Sequence, residues 1–193
     1  MPRSPKRTDT HLAVFRIESA NHEYLLARAK RLGGPWVEAL NQEFEFLRTG
    51  DIPTPLSRRI QAFVTSKGSN LRDEIKILMW NASMKLPIGG SCHVLTSKRE
   101  THQTSANIFG PNYAYVLNRA MVTGRELSAT INAELHFARS FELPAELLGR
   151  VEKYCVDQDI TVRDWAQVEL IRAAWQLPEA AAPPTSRRAR SPY

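Results

Sequence analysis

Cysteine is scarce: Cys92 and Cys155 are the only two in 193 residues. They could close one disulfide at most, and with no export signal ahead of them they read as free thiols. No apolar run approaches the ~18 residues of a membrane span. The opening "MPRSPKRTDT" is basic but lacks the apolar core of a secretion signal, so the expectation is a cytoplasmic protein with no membrane partner, and the Asn81-Ala82-Ser83 sequon then carries no glycan. The five histidines (His11, His22, His93, His102 and His136) show no metal-ligand spacing, and "HEYLL" lacks the second histidine of a zinc-protease helix. "GGPW" and "IGGSCH" are too short for a phosphate loop and lack its lysine, and they read as turns. Nothing assembles an acid, a base and a nucleophile. The reading is therefore no enzyme, no catalytic or metal site and no cofactor.

What the chain has is positive charge in particular places. The formal net charge is +6. Residues 1–9, 84–101 and 177–193 carry +2 each, while 10–83 carries +2 and 102–176 carries −2. Basic arms on a compact body suit a polyanionic partner, because they neutralise phosphates and release counterions without fixed geometry. The plain alternative is that such ends only keep the protein soluble.

The chain also repeats itself. Sliding it by 91 residues aligns Thr10–Pro87 with Thr101–Pro178 without a gap, and 21 of 78 positions are identical, where ordinary residue usage would give about five. The matches include Ile17/Ile108, Tyr24/Tyr115, Arg28/Arg119, Gly33/Gly124, Phe46/Phe137, Pro53/Pro144, Arg72/Arg163 and Asp73/Asp164. Such an alignment reads as an internal duplication. The organisation expected is a basic arm (1–9), repeat 1 (10–87), a linker (88–100), repeat 2 (101–178) and a disordered basic tail (179–193), with both repeats packing as one domain.

Each repeat is expected to hold a short strand and four helices. "HQTSANI" alternates, with Gln103, Ser105 and Asn107 on one face and Thr104, Ala106 and Ile108 on the other, which is a strand signal. A helical stripe follows at Leu25, Leu26, Ala29 and Leu32 and stops at Gly33, and a second runs through Trp36, Leu40, Phe44 and Leu47. After a proline, Leu56, Ile60 and Phe63 mark a third helix, and Asn70 and Thr161 are N-caps three residues before Asp73 and Asp164. The recurring carboxylates Glu43 and Glu134 read as solvated faces. Trp80, Trp165 and Trp175 read as core or oligomer packing.

"SFELPAELLGRVEKYCVDQDITVRDWAQVELIRAAW", residues 140–175, alternates briefly, passes a proline and continues as a helix, a capped turn and a second helix. In that order of elements it resembles the ribbon-helix-helix DNA-binding family. "DIPTPLSRRIQAFVTSKGSNLRDEIKILMW" and "HQTSANIFGPNYAYVLNRAMVTGRELSATINAEL" are similar in order as well. The resemblance implies a mainly α fold with a short β-ribbon and a pseudo-two-fold. Two strands pair antiparallel, enter the major groove of double-stranded DNA, and are assisted by a helix N-terminus that holds a phosphate. A duplicated chain can supply both strands itself, as in the single-chain plasmid-transfer accessory proteins that this chain is similar to in plan. The function implied is a sequence-specific regulator, or an accessory factor of plasmid or other mobile-element DNA, acting alone or as a homodimer or higher oligomer on DNA. The alternative kept open is a helical protein-interaction module that no longer binds DNA.

Two strand pairs are candidates for the ribbon. In the pair at 140–143 and 49–52, the outward positions would be Ser140, Glu142, Thr49 and Asp51, and acidic side chains there would face an anionic backbone. The strands at 11–17 and 102–108 instead offer Arg16, Gln103, Ser105 and Asn107, which can hydrogen-bond base edges, and are the preferred pair. Phosphate contacts are expected from Lys98, Arg99, Ser69, Asn70, Thr161, Arg187, Arg188 and Arg190.

Overall fold

The computed structural model describes residues 9–88 and 100–179. Lys98, Arg99, Arg187, Arg188 and Arg190, together with Cys92 and His93, lie outside the described residues, as do most of the N-terminal arm, the linker and the tail. Among the described residues the chain is mainly helical, with one two-stranded antiparallel sheet. In order, β1 (Thr10–Glu18) is followed by α1 (Ser19–Leu32), α2 (Trp36–Thr49), α3 (Thr54–Lys67) and α4 (Leu71–Ser83). Then β2 (Thr101–Phe109) is followed by α5 (Gly110–Thr123), α6 (Leu127–Ser140), α7 (Ala145–Asp157) and α8 (Val162–Gln176). Among the described residues no helix is long and apolar enough to cross a membrane.

The side-chain pattern sets the layers. Along β1, Ala13, Phe15 and Ile17 are buried, and along β2 so are Ala106 and Ile108. These meet Leu25 and Ala29 of α1, Leu40 and Phe44 of α2, Val116 of α5, and Ile131 and Leu135 of α6 to form one core directly behind the ribbon. A second core begins at the far ends of α2 and α6, with Phe46, Leu47, Phe137 and Ala138, and continues into α3, α4, α7 and α8. The halves interleave: α6 packs on β1 and α1, and α2 packs on β2 and α5.

Three expectations from the sequence are corrected. First, 140–143 is not a strand. Helix α6 runs through Ser140, and Phe141 and Glu142 then take φ of 50° and 52°, which a strand backbone, at φ near about −120°, excludes. The apolar alternation has another cause. The turn drives Phe141 and Leu143 into the far core, where the Phe141 ring meets Phe137 and Phe46 edge-on at 5.8 and 6.3 Å. Residues 49–52 fail as a strand for the same reason, with φ of 76° at Gly50 and 46° at Asp51.

Second, Glu43 and Glu134 are buried, not solvated. Arg28 Nε lies 2.6 Å from Glu43, Arg119 Nε donates to Glu134 at 3.1 Å, and the Tyr115 hydroxyl donates to Glu134 at 2.6 Å. Burial holds the Glu43 carboxyl above its ordinary value against the pull of Arg28. Burial, with the Glu43 carboxylate beside it, keeps the Tyr24 phenol protonated far above its usual range. These groups tolerate the interior because each carboxylate faces a guanidinium.

Third, Leu26 and Leu32 of the α1 stripe stay exposed. Of Trp80, Trp165 and Trp175, the expected packing residues, Trp165 is buried in the far core, while Trp80 and Trp175 are exposed at 41% and 64%.

The acidic residues of the discarded strand pair have a structural task. Arg72 Nη2 of α4 donates to Glu142 at 2.6 Å, and Arg163 Nη2 of α8 donates to Asp51 at 2.6 Å. Each guanidinium also lies over a phenylalanine, Arg72 over Phe137 at 3.9 Å and Arg163 over Phe46 at 4.4 Å. The last helix of each half is thereby tied to the turn after the second helix of the other.

Candidate nucleic-acid interface

β1 and β2 pair over nine residues each, from Thr10 opposite Phe109 to Glu18 opposite Thr101. The middle pair is Val14 and Ser105, which stand 91 residues apart in the chain. Because side chains alternate along a strand, Leu12, Val14 and Arg16 share the outward face with Gln103, Ser105 and Asn107, and all six are exposed. Arg16 lies opposite Gln103, and Leu12 opposite Asn107. The four residues expected to contact bases thus come together on one solvent-facing surface. Arg16 has no carboxylate partner among the described residues.

A two-stranded ribbon has two bare edges, and their backbone groups need partners. Here helices supply them. Asn132 of α6 accepts from Glu18 N at 2.9 Å through Oδ1 and donates to Arg16 O at 2.9 Å through Nδ2, while Arg16 N donates to Ser128 Oγ at 3.1 Å. On the other edge, Asn41 of α2 accepts from Phe109 N at 2.7 Å and donates to Asn107 O at 3.0 Å. Two further buried asparagines support the clamps: Asn21 donates to Asn132 Oδ1 at 3.0 Å, and Asn112 donates to Asn41 O at 2.9 Å. Backbone bonds Ser19 N to Glu100 O and Gly110 N to Asp9 O, both 2.9 Å, close the two ends.

Aromatic pairs flank the ribbon. His11 stacks on Tyr113 with ring centroids 4.9 Å apart, and His102 meets His22 edge-on at 4.7 Å. Partial burial and the neighbouring His102 lower the His22 pKa from its ordinary value.

The expected phosphate contacts fare differently. Ser69, Asn70 and Thr161 sit at the starts of α4 and α8, whose apolar faces belong to the far core, and Thr161 also accepts from Arg28 of α1 at 3.4 Å. Their side chains are already engaged. Asn70 Oδ1 accepts from Asp73 N at 3.0 Å, Ser69 donates to Glu74 at 2.8 Å, and Thr161 forms a complete capping box with Asp164. Carboxylates in these first turns take the place near the helix dipole that a phosphate would need.

Sequence reasoning left out Leu12 and Val14, exposed at 68% and 58%, although their alternation phase relative to Arg16 places them on the same face. It also left out the clamps Asn41 and Asn132, whose identity across the repeat interval was the available signal. Among the described residues no three His, Cys, Asp or Glu side chains gather as a metal would require. Comparison with known protein families, with curated proteins and with solved structures yields no match to this chain.

Proposed function

We propose that this protein binds double-stranded DNA through the outward face of its ribbon, as a regulator or as an accessory factor of plasmid or other mobile DNA. On this reading the chain is an internal duplication whose pseudo-two-fold passes between Val14 and Ser105. Residues 10–49 and 101–140 together form a ribbon-helix-helix-like unit, and α3, α4, α7 and α8 form a second layer behind it. The observation that carries the reading is the ribbon itself. Two strands far apart in sequence pair in register, their edges are pinned by helix asparagines, and four side chains able to hydrogen-bond base edges face solvent. An antiparallel ribbon of this width fits the major groove, where such side chains can tell base pairs apart. The basic arms add affinity without specificity.

The test is a gel-shift series of the full chain on random-sequence duplex across rising salt. Binding through several phosphates weakens steeply between roughly 50 and 200 mM salt. The competing reading, a protein-interaction module, is favoured by the apolar groups exposed on the far layer, Ile77, Trp80 and Trp175. It predicts no retarded complex at any salt.

A further inference from the structure

The outward face of the ribbon is arranged as three facing pairs: Arg16 with Gln103 at one end, Val14 with Ser105 in the middle, and Leu12 with Asn107 at the other. The 91-residue interval exchanges Arg16 with Asn107, Val14 with Ser105 and Leu12 with Gln103. The backbone is therefore symmetric about the middle pair and the chemistry is not. A ribbon made by two copies of one chain presents identical strands and fits a site equal to its own reverse complement. A ribbon made within one chain is free of that constraint.

Resting on the DNA-reading function proposed above, we infer that this protein recognises a non-palindromic site, with a purine-acceptor half under Arg16 and Gln103 and a thymine-containing A·T half under Leu12 and Asn107. Arginine reads guanine through O6 and N7, glutamine and asparagine read adenine through N6 and N7, and an apolar side chain contacts the thymine methyl. Leu12 can offer a base edge no hydrogen bond, and among the major-groove edges the thymine C5-methyl is the apolar group that it can pack on. At 68% and 58% exposure Leu12 and Val14 are uncovered among the described residues, and packing on a thymine methyl would remove their apolar surface from water. Leu12 and Arg16 are four residues apart, about 13 Å along an extended strand, which spans roughly four base-pair steps of 3.4 Å. The two halves are thus separate in the groove.

The deciding experiment is selection of the full chain on random duplex DNA followed by sequencing. The native chain is expected to enrich a motif that differs from its reverse complement, with a G·C pair and a T·A pair about four steps apart. The variant Leu12→Gln, Val14→Ser, Arg16→Asn makes both outward strand faces alike and is expected to enrich a palindrome of A·T half-sites. Circular dichroism checks that this variant is folded. The single change Arg16→Asn, expected to erase the G·C preference and leave the other half unchanged, decides the matter should the triple variant fail to fold. A palindrome selected by the native chain overturns the inference and leaves DNA reading in place. No enrichment by the native chain overturns both. An asymmetric motif unchanged by the substitutions overturns the inference and assigns Leu12 and Val14 to a protein contact.

Discussion

Asn132 holds the strand that carries Arg16: its side-chain amide donates to Arg16 O at 2.9 Å, and its Oδ1 accepts from Glu18 N at 2.9 Å. Asn41 holds Asn107 and Phe109 in the same way on the opposite edge. The ribbon is therefore positioned by helices from the other half of the chain, and its outward residues stand on a braced scaffold.

Replacing Asn132 with Ala leaves the Arg16 carbonyl, the Glu18 amide and the Asn21 side chain without this partner. The expected loss is about 1–3 kcal/mol in unfolding free energy, the usual cost of orphaned buried polar groups. Urea denaturation measures it. Amide exchange adds a local readout: Glu18 N–H exchanges faster, while Phe109 N–H, held by Asn41, keeps its protection.

Asn107 is exposed, and among the described residues it is its backbone carbonyl, not its side chain, that is held, by Asn41. Asn107→Ala is expected to cost about 1–3 kcal/mol of affinity on the preferred DNA site and to relax its sequence preference, with the urea midpoint unmoved. Replacing Arg187, Arg188 and Arg190 with Gln instead weakens binding to all sequences alike and flattens its salt dependence. Fluorescence anisotropy across salt separates the two effects. Equal loss on all sequences from Asn107→Ala would take that residue off the reading face.

Gly33 and Gly50 both cap helices with left-handed backbones, at φ of 69° and 76°. An added methyl at Gly33 meets open space, whereas at Gly50 it would lie 2.5 Å from Leu170 Cδ2. Alanine at either site carries about 1–2 kcal/mol of left-handed strain. Gly50→Ala adds the collision in the far core and is expected to be clearly the more destabilising, as thermal melts of the two variants would show.

Acid should loosen the fold from the far layer. Burial acts to raise the Glu142 carboxyl, but hydrogen bonds from Lys76 and Arg72 outweigh it and hold it below its ordinary value. Asp164 is likewise depressed against its burial, by its Thr161 hydrogen bonds and by Arg28. A carboxylate depressed in the folded state contributes stability above its unfolded pKa of about 4 and loses it as pH falls through the folded value. The urea midpoint is expected to drop below about pH 4, and Glu142→Gln to remove part of that slope. A slope identical in Glu142→Gln and the native chain would show that this carboxylate does not contribute.

Local chemistry made part of this architecture legible in the sequence alone. Alternation sustained from Gln103 to Ile108 signals a strand, and Asn70 and Thr161 before Asp73 and Asp164 mark helix starts, because caps and strand faces depend on neighbours within a few residues. The 91-residue interval pointed to matching positions before any contact was known. Tertiary structure decided the rest. Phe141 and Leu143 alternate as a strand would, but their φ values and the Phe46 and Phe137 rings waiting across the core make the segment a turn. Glu43 and Glu134 read as charged in the sequence, and the arrival of Arg28 at Glu43, and of Arg72, Arg119 and Tyr115 at Glu134, makes their burial tolerable. Alternation sets Leu12 and Val14 on the face of Arg16, but which face of β1 looks outward was decided by the helices packed against Ala13, Phe15 and Ile17, since a strand hides the face that something packs behind.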